Sequence, residues 1–549
     1  MSEFSFLIGG KAGDGIDKSG LIIARILSRL GYHIYIYRDY PSIIRGGHTF
    51  SIIRASPKNI STHLNQVDII FALNQDTVDL HSHRLKDKKY IIYDSDAVKS
   101  EGTGVGLEKI LKDEDAPVLM RNSCLVGAFV KSCGIDWLTL EEIFKKGFPK
   151  DVELNLKVAR KGYDAVNETI KVPVISGKSL PVLLGNEAIG LGLVKAGLKN
   201  YVAYPMTPTS GVLHFLAGIA NDFSLKVIHP ESEIAVMLMA LGFAYCGQKT
   251  AVGTSGGGFC LMTEGLSFAG MAELPVVVIV GQRPGPSTGL PTYTSQTELN
   301  FVMTAGQGEF TRLVVAPGDI QEAYYWAAVS LNLAWKYQIP VILLSDKTLS
   351  EGTYSFDLDS AGGVPEENGL FLDAKLPYKR YLNTESGISP LAFPGDKDVA
   401  VKVNSYEHDE SGITAEEPEK TRLMQEKRLR KEKYLFNDLI KYNPVKVYGD
   451  TKSDVTLVCW GSNKGVCVEA AEKLGLKVVQ PLVLLPFPCE EFRKSITGSK
   501  KIICLENNAT GQLADILIGH GISVNERILR YDGRPFSLDE LEVELKKLI

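Results

Sequence analysis

Cysteines are few and scattered in this sequence. It has eight of them in 549 residues, and no two form a Cys-x-x-Cys pair. Iron–sulfur clusters usually draw on closely spaced cysteines, so we expect neither a cluster nor another metal site within this chain. Most of the cysteines lie in apolar runs, where a free thiol behaves as a small hydrophobic group, and disulfides are not expected.

Excess positive charge and long apolar runs are also missing. The formal net charge is −5, which argues against a general nucleic-acid binder, because such a protein needs a basic face to displace counterions. No apolar run approaches the length of a membrane span. The first residues, Met1–Phe4, lack the basic start and apolar core of a signal peptide. We therefore expect a cytoplasmic protein that binds neither nucleic acid nor membrane.

A third absence concerns phosphate ligands. Enzymes that use thiamine diphosphate hold its Mg²⁺ and phosphates with a Gly-Asp-Gly segment and an Asn-Asn pair further along the same domain. Gly13-Asp14-Gly15 is not followed by such a pair, and the one Asn-Asn of the chain, Asn507-Asn508, is far away. If thiamine diphosphate is used, another subunit must hold its phosphates.

Alternation of strands and helices is what the sequence does have. Apolar segments of strand length alternate with helical periodicity, which predicts an α/β fold with largely parallel sheets. Three doubly wound units are expected, at 1–175, 179–356 and 443–549. The intervening segment, 357–442, is rich in Gly, Pro and charge, and we interpret it as a solvated connector that ends in an exposed helix.

The first unit opens with a predicted strand at Phe4–Ile8, a glycine-rich turn at Gly9–Gly15 and a helix at Asp17–Leu30. Glycines at such a turn let backbone N–H groups approach a phosphate at the helix N-terminus. The spacing matches neither Gly-x-Gly-x-x-Gly nor the Gly-Lys-Ser/Thr of an ATP-binding loop. Phosphate contact and a plain tight turn both remain open.

The second unit carries polar segments where predicted strands end. These segments are Tyr204–Ser210, Thr254–Gly258 and Gly281–Gly289, and the carboxyl edge of an open α/β sheet is where ligands bind. Arg283 could bind a carboxylate through two hydrogen bonds. Simpler roles exist as well, because Thr207 can cap a helix and a lone arginine can fix a loop.

Two glutamates, Glu231 and Glu233, stand at the start of an apolar helix. Acidic residues there complement the helix dipole, which is the simpler interpretation. The residues that follow Glu233 are apolar, so we expect its carboxyl group to be poorly hydrated. Glu231 should point elsewhere, because neighbours two apart do not share a helix face.

Taken in order, these segments resemble the 2-oxoacid:ferredoxin oxidoreductases, specifically an α subunit with the γ domain fused in front of it. Met206, Thr209 and Gly257 depart from the motifs of that family. The segments that carry the resemblance are Gly9–Gly15, Ile44–His48, Tyr204–Ser210, Glu231–Ala235, Thr254–Phe259, Gln282–Pro291, Glu407–Glu410 and Glu506–Leu513.

The resemblance implies a γ domain at 1–175, a thiamine-diphosphate-binding, pyrimidine-type domain at 179–356 and a transketolase C-terminal-like domain at 443–549. It implies a reversible reaction in which a 2-oxoacid is oxidatively decarboxylated with coenzyme A to acyl-CoA and CO₂, while electrons pass to ferredoxin. A β subunit would hold the phosphates of the shared thiamine diphosphate, Mg²⁺ and a [4Fe–4S] cluster.

The resemblance also assigns residues. Glu233 would be catalytic, by hydrogen-bonding the aminopyrimidine ring of the cofactor. Thr207 and Arg283 would contact the carboxylate and oxo groups of the substrate. Further cofactor contacts would come from Tyr204, Pro205, Ser255 and Gly256. Residues of the first unit that would face coenzyme A are Gly10, Gly13, Gly15, Arg45 and Gly46.

Departures leave the substrate open. Members that act on 2-oxoglutarate tend to have a lysine within the segment that is Thr292–Gln296 here, and a histidine near Ala305–Glu309; both are missing. We therefore keep 2-oxoglutarate, pyruvate and branched or aryl 2-oxoacids as candidates. The alternative function is a non-catalytic coenzyme-A- or nucleotide-binding α/β protein that kept the fold; the retained Thr207, Glu233 and Arg283 favour the enzyme.

Overall fold

A computed structural model describes residues 3–43, 46–87, 90–147, 150–364 and 371–549. The chain forms two compact units. The N-terminal unit comprises Met1–Leu184 with Gly352–Asp357 and Phe536–Ile549, and the larger unit comprises Gly185–Glu351 with Leu358–Pro535. Within the described ranges, no helix is long and apolar enough to cross a membrane.

Strands and helices alternate up to residue 184. The strands are β1 (Phe4–Ala12), β2 (His33–Asp39), β3 (Gly46–Ser56), β4 (Ile69–Ala72), β5 (Ile91–Asp94), β6 (Thr103–Val105) and β7 (Val182–Leu184). The helices are α1 (Ile16–Arg29), α2 (Gln75–His81), α3 (Leu107–Asp113), α4 (Arg121–Ser132), α5 (Trp137–Gly147) and α6 (Val152–Asp164), with 3-10 turns at Ser82–Arg84 and Val118–Met120.

The alternation continues to residue 355. The strands are β8 (Asn200–Val202), β9 (Lys226–Ile228), β10 (Thr250–Ser255), β11 (Val276–Gln282), β12 (Leu313–Val315), β13 (Pro340–Asp346) and β14 (Thr353–Ser355). The helices are α7 (Gly185–Lys195), α8 (Ser210–Gly218), α9 (Ala220–Phe223), α10 (Glu233–Tyr245), α11 (Gly256–Ala272), α12 (Leu299–Thr304), α13 (Ile320–Tyr337) and α14 (Lys347–Glu351).

A long helix and a smaller α/β segment complete the chain. The helices are α15 (Pro418–Leu439), α16 (Asn463–Leu474), α17 (Cys489–Ser495), α18 (Gln512–Gly519) and α19 (Leu538–Leu545), with a 3-10 turn at Ile440–Tyr442. The strands are β15 (Val445–Gly449), β16 (Val455–Cys459), β17 (Lys477–Pro481), β18 (Val483–Leu485), β19 (Lys501–Glu506) and β20 (Glu526–Leu529).

The sheet of the N-terminal unit is mixed, with the strand order β6-β5-β4-β1-β3-β2-β14-β7. The predicted parallel arrangement holds for β1, β4, β5 and β6. It is wrong for the other half, where β3 runs antiparallel to both β1 and β2. The connection from β2 to β3 is too short for a crossover helix, and a parallel pair requires such a crossover.

The first strand is also longer than predicted, because β1 continues through the first glycines to Ala12. A Cβ atom on Gly9 would come within 2.5 Å of the Thr77 hydroxyl, so only glycine lets β1 pass α2 this closely. Helix α1 then begins at Ile16 and buries Ile23 and Leu27 in the core of the unit.

The larger unit contains two doubly wound sheets. Its seven-stranded sheet has the order β18-β12-β13-β11-β10-β8-β9. Its strands pair in parallel apart from β18. Strand β11 is buried throughout, as expected for a parallel strand covered on both faces. The five-stranded sheet, in the order β15-β17-β16-β19-β20, is parallel apart from β15. These features confirm the predicted α/β class.

Domain boundaries by residue number stay a prediction, but two segments pack differently from the predicted units. Residues 352–357 and 536–549 belong to the N-terminal unit, where the Leu538 N–H donates to the His63 carbonyl oxygen at 3.0 Å.

We use the term C-terminal module for β15–β20 with α16–α18.

The sequence predicted that the helix at the end of the connector is exposed, and this is wrong for one face of α15. Lys427 and Lys431 are buried on that face, and both pair with the buried Glu273 at the end of α11. Arg380, from the irregular part of the connector, donates to the Glu273 carbonyl oxygen at 2.8 Å. The connector is therefore fixed to the α11 end of the larger unit by a buried ion cluster.

Candidate active site

Three polar segments of the larger unit meet at one sheet edge, as predicted. Strand β10 pairs in parallel with β8 on one side and β11 on the other. The residues after these strands therefore leave the sheet at the same edge. This brings the Tyr204–Thr209 segment, the Ser255–Gly256 helix start and Arg283 together.

Direct contacts join the three segments. Arg283 Nη1 donates to the Thr207 carbonyl oxygen at 3.0 Å. Thr209 Oγ1 donates to the Thr254 carbonyl oxygen at 3.1 Å. The Ser255 hydroxyl lies 2.7 Å from Met206 Sδ. Met206, which departs from the family motif, therefore lies against the start of α11.

The interpretation of Thr207 as a helix cap is wrong. Helix α8 begins only at Ser210, and the residue at its cap position is Thr209, whose side chain makes no capping bond. Thr207 is half-buried one residue before the buried Pro208. Its hydroxyl is therefore available for a role in binding.

Glu233 opens α10 and is only 4% exposed. Among the described residues its Oε1 has no hydrogen-bond partner. A Cβ atom on Gly258 would lie 2.5 Å from this oxygen, so α11 gives the carboxyl group room only because position 258 is glycine. The expected poor hydration of Glu233 is confirmed, and Glu231 is exposed as expected.

The cause of this burial differs from the expected one. The residues after Glu233 do not cover it, because Ile234 and Leu238 are each 50% exposed. The cover comes from the first turn of α11. Together with Met239 and Leu261, these side chains form an exposed surface on α10 and α11, which we call the apolar face.

The sequence did not point to Glu298, which lies at the same edge. Its side chain packs on Gly256, where a Cβ atom would come within 2.7 Å of Glu298 Oε1. The other carboxyl oxygen, Oε2, is enclosed and has no hydrogen-bond partner among the described residues. Burial raises the pKa of Glu298 to about 7, although a hydrogen bond from Thr297 and the charge of Arg283 oppose the shift.

The pKa of Arg283 is in turn influenced by Glu298. Burial lowers the pKa of its guanidinium, and the carboxyl group of Glu298 acts against that change. The two side chains thus form an electrostatically coupled pair at the carboxyl ends of the strands.

The loop from Gln282 to Glu298, which we call the Arg283 loop, is held by the C-terminal module through Gln296. Gln296 Nε2 donates to the Trp460 carbonyl oxygen at 2.8 Å. Its Oε1 accepts from Asn463 Nδ2 at 2.7 Å and from the Asn507 N–H at 3.0 Å. Asn508 Nδ2 donates to the Gln296 carbonyl oxygen at 3.0 Å.

Gln512 holds the end of the same loop. Its Nε2 donates to the Thr297 carbonyl oxygen at 2.9 Å, and its Oε1 accepts from the Asn300 N–H at 2.9 Å. Glu298 lies between these two residues. The Glu506–Leu513 segment, singled out in the sequence without a role, therefore positions the Arg283 loop.

The N-terminal unit contains the other predicted contacts. Gly46 is the register partner of Ala12, so the two glycine-containing motifs lie on adjacent strands. Gly13 and Gly46 have positive φ angles of 103° and 79°, and apart from their chain neighbours no atom of the described residues lies within 4 Å of a Cβ built on either. The Asp14 carboxylate already accepts the Lys11 N–H at 2.8 Å.

Two further assigned residues of this unit have structural surroundings. Gly10 is buried in β1, and Gly15 precedes α1 with a φ angle of 75°. A Cβ atom on Gly15 would clash with Asn122, 2.1 Å away. Arg45 lies outside the described residues. The coenzyme-A-facing role of all five residues stays a prediction.

Comparisons with known proteins agree with this architecture. Residues 192–427 match the family described as pyruvate flavodoxin/ferredoxin oxidoreductase, thiamine-diphosphate-binding, and residues 5–165 match the family pyruvate ferredoxin/flavodoxin oxidoreductase. The chain is 31% identical over 623 residues to the 2-oxoacid:ferredoxin oxidoreductase subunit alpha of Saccharolobus solfataricus, covering 100% of this chain and 98% of that one. It is 33% identical to a Sulfolobus subunit alpha, again over 100% of this chain and 97% of the relative.

A solved structure is similar over the same length. The 2-oxoglutarate:ferredoxin oxidoreductase from Magnetococcus marinus, determined with 2-oxoglutarate, coenzyme A and succinyl-CoA bound, is 28% identical with a TM-score of 0.88. The match covers 100% of this chain and 99% of that chain. This chain therefore belongs to the 2-oxoacid:ferredoxin oxidoreductase family, among its alpha subunits.

Proposed function

We propose that this chain, together with a β subunit, converts a 2-oxoacid and coenzyme A reversibly to acyl-CoA and CO₂ and passes the electrons to ferredoxin. The observation that carries the proposal is Oε1 of Glu233, which has no hydrogen-bond partner in the described part of the chain and is buried beside Gly258, at the edge where Thr207 and Arg283 also lie. A buried carboxyl oxygen without a partner is costly, so such a group points to a ligand that completes it.

The residues fit the aminopyrimidine end of thiamine diphosphate. Glu233 would hydrogen-bond a ring nitrogen and share a proton with it, while Tyr204, Pro205, Ser255 and Gly256 would line the ring. When bound, the cofactor supplies the nucleophilic carbon that makes decarboxylation possible. Because only 4% of Glu233 is exposed, the protein keeps water away from Oε1, where the shared proton would lie.

Substrate binding would use Arg283 and Thr207. The guanidinium already donates to the Thr207 carbonyl oxygen, which leaves its remaining N–H groups for the carboxylate of a 2-oxoacid. The Thr207 hydroxyl would donate to the oxo group. These interactions orient the acid so that its oxo carbon faces the cofactor.

The identity of the 2-oxoacid depends on the segment that lacks the family's lysine. Tyr293 lies in that segment, and the guanidinium of Arg534 stacks on its ring with 3.9 Å to the centroid. A cation is therefore present near this segment despite the missing lysine. This keeps 2-oxoglutarate among the candidates, beside pyruvate and branched or aryl 2-oxoacids.

A β subunit would supply what this chain lacks. Within the part of the chain that the structure describes, no group of three or more His, Cys, Asp or Glu side chains could hold a metal ion. Mg²⁺, the cofactor phosphates and a [4Fe–4S] cluster would therefore lie on the partner. The apolar face begins next to Glu233, so a partner docked there would close over the cofactor end that this chain binds.

Coenzyme A would meet the N-terminal unit. The open space at Gly13 and Gly46 suits close approach of a ligand to the backbone. We place the enzyme in the cytoplasm, where ferredoxin and free thiols are expected; all eight cysteines are free.

Affinity purification of the tagged chain, coexpressed with the genes beside its own, tests the proposal. We expect a smaller partner with clustered cysteines, and reduction of viologen that requires coenzyme A and one member of a panel of 2-oxoacids. A chain recovered without a partner and without 2-oxoacid-dependent reduction would instead favour the non-catalytic binding protein.

A further inference from the structure

Glu298 is a second carboxyl group at the proposed active site. It is the last residue of the Arg283 loop, directly before α12, and its backbone N–H donates to Gln282 Oε1 at 3.2 Å. The side chain lies on Gly256 at the start of α11, while Thr297 Oγ1 donates to its Oε1 at 2.9 Å. Among the described residues, its Oε2 is enclosed and has no hydrogen-bond partner. The geometry thus leaves one buried carboxyl oxygen open on a residue whose backbone is bonded to Gln282, the neighbour of Arg283 in the chain.

Among the described residues around Glu298, one charge of opposite sign is found to act on its carboxyl group. It is the guanidinium of Arg283, the residue that follows β11. The groups contributed by the other packed elements are neutral: Gln282 from β11, Thr297 from the loop and Gly256 from α11. On α18, the neutral Gln512 fixes the backbone on both sides of Glu298. Burial is the main cause of the raised pKa of Glu298, and the hydrogen bond from Thr297 and the charge of Arg283 oppose it; Arg283 is the contributor whose charge a bound ligand can neutralise.

We propose that Glu298 is the counter-ion of Arg283 in the free enzyme and takes up one proton from solvent when the carboxylate of the 2-oxoacid binds to that arginine. This rests on the proposed function of Arg283. In the free site the guanidinium charge favours the ionised Glu298. A bound carboxylate neutralises that charge and adds a like charge nearby, so the ionised glutamate loses its support and becomes protonated.

The protonated carboxyl group would then act as a hydrogen-bond donor through the oxygen that has no partner in the free site. Oε2 accepts no hydrogen bond from the described residues, and an O–H group there needs an acceptor. A substrate carboxylate on Arg283 supplies one. Glu298 is thus a positioning residue that makes substrate binding depend on pH; burial already brings its pKa to about 7, within the range where enzymes work.

The dependence of KM on pH tests the proposal in the assembled enzyme. We expect the KM for the 2-oxoacid to be constant below pH 7 and to rise about tenfold per pH unit above it, because one proton must be taken up. In Glu298→Gln this rise should disappear between pH 6 and 9. Glu309→Gln, which changes an exposed glutamate of the neighbouring segment, should keep the wild-type slope.

A calorimetric measurement keeps the test independent of turnover. Binding of 2-hydroxyglutarate, a non-decarboxylating analogue, or of lactate if pyruvate is the substrate, is measured in phosphate and in Tris at pH 8. Wild type should take up nearly one proton and Glu298→Gln none. Equal proton uptake in both proteins, or a KM slope that survives in Glu298→Gln, overturns the role of Glu298.

The kinetics of Arg283→Ala distinguish a failure of the proposed function from a failure of the proton uptake at Glu298. If Arg283 does not bind the substrate carboxylate, Arg283→Ala leaves KM unchanged at every pH. If Arg283→Ala raises KM while Glu298→Gln keeps the wild-type pH slope, the site assignment stands and only the proton uptake is wrong.

Discussion

Two glutamates of the candidate active site differ in their neighbours. Glu233 is enclosed beside Gly258, and its Oε1 has no hydrogen-bond partner among the described residues. Glu298 is enclosed beside Gly256 and faces the charge of Arg283. The buried Oε1 of Glu233 suits proton sharing with a ring nitrogen, whereas Glu298, which feels the charge of Arg283, responds to what the arginine binds.

Replacement of Glu233 is the sharpest test at the level of single residues. We predict that Glu233→Gln leaves assembly and cofactor content intact and lowers turnover by at least ~100-fold, the scale of losing a positioned acid–base group. Viologen reduction and exchange of the cofactor's C2 proton measure this. Glu231→Gln, which changes an exposed residue two positions earlier, should cost much less. Exchange at the wild-type rate in Glu233→Gln would remove the assignment.

Arg283→Ala should mainly weaken substrate binding. A charge-assisted pair to a carboxylate exists in both the ground state and the transition state, so its loss raises KM more than it lowers kcat. Steady-state kinetics of the reconstituted complex, at limiting and saturating 2-oxoacid, separate the two effects. A fall in kcat at unchanged KM would show that the arginine acts in the chemical step instead.

At the residue scale, the sequence placed Thr207 and Arg283 after predicted strands and Glu233 at a helix start, and the resemblance to the family assigned their roles, which stay a prediction. Glu298 could not be found in this way. A single glutamate before a short helix indicates only a favourable dipole interaction. Its importance depends on the packing of its side chain on Gly256 and on the charge of Arg283, and a sequence shows neither.

The buried ion cluster beneath α15 belongs to the scale of elements. Burial alone would raise the pKa of Glu273, but Lys427, Lys431 and Arg380 together bring it below its ordinary value. Burial lowers the pKa of Lys427 to about 7, although Glu273 opposes the change. One carboxylate thus compensates several cations, and it determines whether α15 can pack.

We predict opposite outcomes for two substitutions in this cluster. Glu273→Gln leaves the buried lysines without a counter-charge and should lower the free energy of unfolding by ~3–5 kcal/mol. Lys427→Met should change it by no more than ~1 kcal/mol, because Lys431 and Arg380 still neutralise the carboxylate. Urea unfolding measures both, and Glu426→Gln, on the exposed face of α15, is the control. Equal losses for Glu273→Gln and Lys427→Met would contradict the assignment.

The histidine pair of the N-terminal unit predicts acid sensitivity. His48 Nε2 lies 2.8 Å from His81 Nε2. Burial, with the charges of Arg84, His48 and His83, lowers the pKa of His81 to about 3. The folded protein therefore disfavours the protonated form, so stability is full above pH 6.5 and falls as the pH drops from there towards 3.

His81→Phe should remove this part of the acid sensitivity. The expected wild-type slope is at most ~1.4 kcal/mol per pH unit, the value for one linked proton. Urea unfolding at several pH values between 5 and 8 measures it, with His83→Asn, at an exposed neighbour, as the control. A slope that is unchanged in His81→Phe would assign the acid sensitivity to other groups.

At this scale the strand and helix rhythm was predictable, because it follows from local periodicity. The direction of β3 was not, because it depends on the short connection after β2. The charge pattern of α15 was misleading. Lys427 and Lys431 lie four residues apart and therefore share a face, but only the position of Glu273 makes that face a buried one.

For the whole molecule, the cysteine pattern predicts that catalysis is divided between subunits. Cys124, Cys133, Cys459, Cys467 and Cys504 are buried, and we expect the anaerobically purified single chain to contain no iron and to show no 2-oxoacid oxidoreductase activity. Iron and sulfide analysis of the chain, alone and after addition of the β subunit, measures this. A stoichiometric cluster in the single chain would refute the division.

The hydrogen bonds between the C-terminal module and Gln296 limit how this gene can recombine with related genes. Asn463 and Asn507 lie 167 and 211 positions further along the chain, yet they fix the loop that carries Arg283. Recombination that exchanged the segment after residue 443 could leave both sheets intact and still misplace the arginine. The Arg283 loop and the C-terminal module are therefore expected to evolve together. Substitutions at Gln296 and Asn508 should be selected jointly, and domain exchange near residue 443 should be disfavoured.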